Sequence, residues 1–281
     1  MNEIQEKILE IYKEIKKICQ KNSIPFYAIG GTCIGAVRHK GFIPWDDDLD
    51  IAIPIEMFDK FIECAKKDLP DHLYTYECKN IEHFDSVFLK ICDKRTSFIE
   101  ESQYGLEDSY KGIFVDVMPL AGINKSNGYY IKMYLLHRLN FIRRMPASIY
   151  SRFLPKLITF LCYPLKLITK YNFFSNKLYK IFYSMPLSNS KYTGYVWWGY
   201  ELRKLTFPIE WFSETVELPF EDTTMSCPKE YDKYLTKQFG DYMKEPPKSM
   251  QTQVHKGIID LNNSYMKYKT GELILPQKRK L

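Results

Sequence analysis

Residues 29–53 read IGGTCIGAVRHKGFIPWDDDLDIAI, and the fold follows from how this stretch is placed. Leu49–Ile53 has the apolar character of a short strand, closed by Pro54. Side chains on a strand alternate between its two faces, so Asp48 and Asp50 project to one side while Leu49 and Ile51 enter the core. Two adjacent carboxylates repel unless a positive charge lies between them. A hard divalent cation, Mg²⁺ or Mn²⁺, fills that role with oxygen ligands. Upstream, Gly30, Gly31 and Thr32 lead from a strand into a helix. Glycine there lets an anion approach the backbone, and a helix N-terminus favours negative charge. Arg38 and Lys40 follow and can neutralise more of it. A phosphate cradle, basic residues and paired carboxylates within one segment suit phosphoryl transfer, where positioning and charge stabilisation carry the catalysis. Asp46 and Asp47 read as solvated loop acids.

Outward from this segment, Ile4, Ile8, Ile11, Ile15 and Ile18 recur at helical spacing in a first amphipathic helix that ends at Asn22 to Pro25. Phe26–Ile29 is expected as a strand, Thr32–Arg38 as a short helix, Gly41–Asp47 as a loop and Ile55–Lys67 as a helix. Further strands are expected at Ser86–Cys92, Ile113–Met118 and Thr215–Phe220, with a helix over Pro228–Phe239. Strands interleaved with helices indicate an α/β or α+β core. Asp116 lies among Ile113, Phe114, Val115 and Val117, where a bare charge is costly to bury, and it is the candidate third carboxylate of a two-metal site. Lys90, inside the apolar run VFLKIC, either meets donor phosphate or extends to water.

The chain of 281 residues is 45% hydrophobic and 26% charged, with a formal net charge of +6. That is enough apolar material for one elaborated domain or two small ones. Its seven cysteines are scattered and form no CxxC pair, which argues against a disulfide framework and for a reducing compartment. The N-terminus reads as an amphipathic helix rather than a signal peptide. The most apolar stretch, Phe153–Ile168, is too short and too interrupted by lysine and proline to span a membrane. From Val117 to Tyr200 no Asp or Glu occurs, while Lys132, Arg138, Arg143, Arg144, Arg152, Lys156, Lys166, Lys170, Lys177 and Lys180 do. Three regions follow: a catalytic core over 1–125, a basic helical region over 126–200, and a C-terminal part over 201–281 that completes the core and site.

The segment GGTCIGAVRHKGFIPWDDDLDIAIP resembles the signature of the LicD family of phosphocholine transferases, which is related to the fukutin proteins. FLKICDKRTSFIE, GIFVDVMPL, FEDTTMSCPKEYDKYLTKQFGDYMKEPP and His255 resemble further family landmarks. The resemblance implies an α+β fold, with a nucleotidyltransferase-type mixed sheet, flanking helices and a basic helical insertion. It implies transfer of phosphocholine, or a related phospho-alcohol, from a CDP-linked donor to a glycan hydroxyl, with CMP released. Teichoic acid, lipopolysaccharide and capsule are acceptors of this class. Gly30, Gly31 and Thr32 match the donor-phosphate turn, Asp48 and Asp50 the metal pair, Asp116 the third carboxylate, and Arg38 lies in the matching stretch. The zinc-binding cysteine cluster of the fukutin-related branch is not evident.

A choline head group calls for an aromatic box, for which Trp197 and Trp198 are candidates against ordinary core packing. Asp241 and His255 are further candidates for the site, as are Glu221 and Asp222. The acid-free basic region suits an anionic membrane face or packing on the core, and the expected location is cytoplasmic with peripheral membrane contact. No nucleic-acid-binding motif accompanies the charge. Two other functions remain open: a nucleotidyltransferase releasing pyrophosphate, and an inactive membrane-associated scaffold. The head group (choline, ethanolamine, glycerol or ribitol) and the acceptor are not legible.

Overall fold

The structure is a computed structural model, and residues 1–84, 88–145, 164–195, 202–253 and 255–276 are described. Helix α1 (Glu3–Lys21) buries Ile8, Ile11, Tyr12, Ile15 and Ile18 along one face. Its start is fixed by a capping box, in which the Asn2 side chain accepts from Gln5 N and the Gln5 side chain accepts from Asn2 N. Strand β1 (Tyr27–Ala28) leads into helix α2 (Gly30–Ile34) and a π-helical turn over Gly35–His39. Strand β2 (Asp50–Pro54) runs into helix α3 (Ile55–Asp68), and β3 (Leu73–Glu77), β4 (Leu89–Asp93), β5 (Ser97–Glu100) and β6 (Phe114–Gly122) follow.

The central sheet is mixed, with the order β1-β2-β6-β4-β3. β2 and β6 are parallel, whereas β1–β2, β4–β6 and β3–β4 are antiparallel. β6 is buried along its whole length, as its near-continuous apolar sequence requires of a strand covered on both faces. It extends beyond the expected Ile113–Met118 because Leu120, Ala121 and Gly122 pair with β7 (Tyr192–Tyr195), which in turn pairs with β8 (Phe207–Pro208). The strand expected over Ser86–Cys92 is observed at Leu89–Asp93, and residues 85–87 lie outside the described residues.

Part of the basic region is helical, with α4 (Asn127–Arg144) and a helix over Phe173–Tyr183; residues 146–163 lie outside the described residues. Arg144 is not available to an external anion. Its guanidinium is buried and donates to the carbonyls of Cys78 (2.9 Å), Ile81 (2.6 Å) and Lys79 (2.5 Å), to that of Phe84, and to Ser175 Oγ. The end of α4 is thereby fastened to the loop that enters β4. No described helix is long and apolar enough to cross a membrane. The six described cysteines are all free.

The C-terminal part returns to the core. Strands β9 (Thr215–Phe220) and β10 (Thr223–Pro228) form a hairpin whose two-residue turn places Glu221 at φ +54°, and a helix over Tyr231–Phe239 follows. The Glu221 carboxylate accepts from Phe42 N, and its backbone N–H donates to Lys40 O, so it braces the loop ahead of the acidic run. Asp222 is paired with Lys13 at 2.6 Å on the surface. Strand β11 (Gly257–Asp260) pairs with β5, which carries residue 255 back to Asp47.

Candidate active site

Sheet register assembles the site. Asp50 on β2 lies directly opposite Asp116 on β6, and Asp116 lies directly opposite Lys90 on β4. Residues opposite one another in a sheet present their side chains to the same face. Asp48, two residues ahead of Asp50, stands just before β2 rather than within it. All four side chains are buried. Lys90 Nζ donates to Asp116 Oδ1 at 2.6 Å and stands 3.5 Å from the centroid of the Phe114 ring.

This row has too little positive charge. Burial pushes the Asp50 carboxyl well above its usual range, and repulsion from Asp48 and Asp116 adds to it. Asp48 is raised in the same way, by burial first and then by Asp46. Asp116 is also raised by burial, against the opposing pull of Lys90. Burial works to discharge Lys90, but Asp116 beside it wins and holds the ammonium charged. One oxygen of Asp50, Oδ1, is buried with no hydrogen-bond partner. A buried polar atom without a partner in a native fold marks a place meant for something else. A divalent cation held by Asp48 and Asp50, with Asp116 in reach as a third carboxylate, fits that donor set.

The glycine turn is built against the same carboxylates. Gly30 adopts φ +56°, a left-handed conformation that turns β1 into α2 and disfavours any side chain. A Cβ on Gly31 would stand 2.8 Å from Asp46 Oδ2. The Thr32 hydroxyl accepts from Asp50 N at 2.8 Å, tying the turn to the start of β2. Gly30 N donates to Tyr234 Oη at 2.8 Å. Tyr234 is bonded to Tyr195 Oη (2.9 Å), and Tyr195 donates to Gln238 Oε1 (2.6 Å). Gly30's N–H is thus committed inside the protein, while the N-terminus of α2 carries no side-chain cap.

The remaining candidates separate. Arg38, partly exposed at the end of the π-helical turn, donates to Tyr242 O (2.6 Å), to Lys244 O (3.4 Å) and to His39 Nε2 (2.9 Å). It therefore joins the glycine segment to the turn that contains Asp241, which is exposed. Trp197 and Trp198 lie outside the described residues. His255 is brought in: its Nδ1 lies 3.0 Å from Asp47 Oδ1, its backbone N donates to Asp47 Oδ2, and its ring meets Phe98 and Phe114 edge-on. Asp47 is no solvated loop acid, since only 1% of it is exposed. Asp46 interacts with Asp48 and Asp47, and burial lifts its pKa to about 6.

One residue near the site escaped the sequence. Lys111 is fully buried, 3.3 Å from Gln103 Oε1 and 3.4 Å from Glu100 Oε1, with its Nζ 5.0 Å from the Phe114 ring centroid. Its flanks, Tyr110 and Gly112, give no sign of a core position. The two lysines share one aromatic ring, and together they hold Glu100 below the usual carboxylate range despite its burial.

Comparison with known proteins agrees with the resemblance drawn from the signature segment. Residues 23–145 match the family model described as LicD/FKTN/FKRP, nucleotidyltransferase domain. Over 267 residues, 91% of this chain and 96% of the relative, the sequence is 26% identical to the lipopolysaccharide cholinephosphotransferase LicD of Haemophilus influenzae. A short stretch of 52 residues is 46% identical to an uncharacterized protein of Rickettsia typhi, covering 17% of each chain.

Proposed function

We propose that this chain, whose residues 23–145 match the LicD/FKTN/FKRP family model, moves phosphocholine or a related phospho-alcohol from a CDP-linked donor to a hydroxyl of a cell-surface glycan or its lipid-linked precursor. The observation that carries this reading is the buried row Asp50–Asp116–Lys90 with Asp48 beside it, in which Asp50 Oδ1 has no partner. The nucleotidyltransferase-type core suggested by the matching family description is consistent with a mixed sheet carrying its carboxylates on β2 and β6.

In this reading Asp48 and Asp50 would hold Mg²⁺ or Mn²⁺, which would neutralise donor diphosphate charge and polarise the phosphorus under attack. The glycine turn positions the diphosphate, its shape fixed by Thr32 and Tyr234. Asp116, held ready beside Lys90, takes the proton of the acceptor hydroxyl. The acceptor oxygen forms a bond to the phosphorus bearing the alcohol. The bond from that phosphorus to the bridging oxygen breaks, and its electron pair leaves with CMP. Lys90 and Arg38 support charge building on the phosphates, Lys90 from the sheet and Arg38 by securing the turn over Tyr242–Lys244.

A membrane-borne acceptor is favoured by the outer face of α4. Ile131 and Leu135, one helical turn apart, are 56% and 53% exposed among Lys132 and Arg138, in a region without acids. Such a face is suited to an anionic lipid surface.

The test is incubation of the purified chain with CDP-choline, CDP-ethanolamine, CDP-glycerol and CDP-ribitol in Mg²⁺, followed by measurement of released CMP, with Asp48→Ala as control. CMP from one donor, lost in the variant, supports the reading and names the head group. No CMP from any donor, with pyrophosphate released from a nucleoside triphosphate, replaces it with nucleotidylation.

A further inference from the structure

The acids of this site outnumber the cations beside them. Asp46, Asp47, Asp48, Asp50 and Asp116 interact with one another, and Lys90 and His255 are the bases that oppose them most directly. The Asp48–Asp50 pair and Asp116 account for one group of ligands. A second group remains, in which Asp47, Asp48 and His255 each offer one ligand atom, all within 4.8 Å of one another.

We propose that Asp47, Asp48 and His255 form a nitrogen-containing cation site next to the Asp48–Asp50 pair, one that takes a first-row transition divalent ion such as Mn²⁺ or Co²⁺ in preference to Mg²⁺. The inference deepens the transferase reading and rests on it for the role of Asp48 at the donor diphosphate.

Three features carry it. The first is reach: ligand atoms on an ion with bonds of about 2.1 Å stand roughly 3.0 to 4.2 Å apart, so the observed spacing closes with shifts below an ångström. The second is preparation. Asp47 and Asp48 come from the loop before β2, and His255 comes from a segment fixed by the β11–β5 pairing and by the edges of Phe98 and Phe114. Without an ion, Asp47 Oδ1 and His255 Nδ1 already stand 3.0 Å apart, the separation of two neighbouring ligand atoms on one ion. The third is demand: Asp48, a member of this group, repels Asp50, whose Oδ1 is buried without a partner, so positive charge is wanting beside Asp48. The preference follows from ligand chemistry. Imidazole nitrogen favours borderline transition ions, whereas Mg²⁺ prefers an all-oxygen shell.

The experiment uses the full chain with metal alone as the probe. Co²⁺ is titrated in while visible absorption is followed, proton NMR is recorded for a hyperfine-shifted imidazole N–H, and Mg²⁺ affinity is measured in parallel. The expected result is one shifted imidazole signal at Co²⁺ saturation. In His255→Gln this signal is lost, Co²⁺ affinity falls about tenfold or more, and Mg²⁺ affinity stays within about twofold. Asp47→Asn weakens Co²⁺ in the same direction. No shifted imidazole in the unmodified protein at saturation overturns the proposal, whether or not the variants fold. So does a folded His255→Gln that binds Co²⁺ unchanged or loses both metals equally. A chain that releases CMP with Mg²⁺ but lacks the imidazole signal loses only this proposal. A chain with the signal but no CMP from any donor loses only the transferase reading.

Discussion

Asp50 and Asp116 occupy directly opposed positions on the parallel strands β2 and β6, both buried and on the same face. Their mutual repulsion is answered most directly at Asp116, by Lys90 on β4 at 2.6 Å, while Asp50 keeps an oxygen without a partner. The fold thus maintains a charge imbalance that burial alone would remove.

Asp50→Asn is the sharpest test of that imbalance. The substitution keeps shape and removes a poorly compensated charge, so metal-free protein should unfold at equal or higher urea concentration than the parent. Transfer should fall by about a thousandfold or more, as for loss of a major electrostatic contribution. Asp48→Ala should behave alike. A folded Asp48→Ala, Asp50→Ala double variant that still releases CMP is incompatible with the assignment.

Lys90→Met leaves Asp116 buried without its partner. Removing one member of a buried ion pair costs about 3–5 kcal/mol, so the denaturation midpoint should drop steeply. Adding Asp116→Leu should recover much of this loss. A double-mutant cycle with no coupling between the two positions would show that the pair is not formed in solution.

Tyr234→Phe removes the acceptor for Gly30 N–H and leaves a buried donor unsatisfied, at a cost of about 1–3 kcal/mol. If the turn positions the donor diphosphate, KM for the CDP-linked donor should rise more than kcat falls. An unchanged KM would assign the tyrosine to stability alone.

Gly35→Ala should be more damaging than an ordinary helix substitution, because a Cβ at this position would overlap the carbonyl oxygen of Gly41. That atom is backbone and cannot swing aside, so the cost should reach at least about 1–3 kcal/mol. Gly128→Ala, which meets nothing within 4 Å, is the matched control. Thermal melts of the two variants make the comparison.

Stability should depend on pH with a definite sign. The folded pKa of Asp46, about 6, lies above its ordinary value of 3.8, and those of Asp48, Asp50 and Asp116 are raised too. A raised carboxyl favours folding when protonated, so this contribution is complete below the ordinary value and is lost as pH rises through the folded one. In a chelator, therefore, Tm should fall for this group between about pH 4 and pH 7. Saturating divalent metal, which favours the ionised carboxylates, should flatten the slope. An identical slope with and without metal would separate these acids from metal binding.

Much of the site could be read from the chain because its parts are local. The two-residue spacing of Asp48 and Asp50, the Gly30–Gly31 turn and an aspartate inside the apolar strand around 116 are each visible within a few residues. So were the first helix, β2, α3 and β9. Strands β3, β5, β7, β8, β10 and β11 were not, being short and without clear alternation. Asp47 reads as a solvated acid in the sequence because nothing near it shows that His255 returns to it. Lys111 was missed for the same reason: its partners are side chains that only the folded chain brings around it.

What the sequence determined by itself was the local pattern: an α+β chain with a glycine turn, a carboxylate pair and a basic region without acids. These are set by residue type and short-range geometry, which strand and turn periodicity preserve. What only the tertiary structure decided was the company each group keeps. The register of β2, β6 and β4 places Asp50, Asp116 and Lys90 in one row, and the β11–β5 pairing delivers His255 to Asp47. Register between distant strands is fixed by the packing of the whole sheet, and burial, which sets the charge state of every carboxylate here, exists only once that packing is complete.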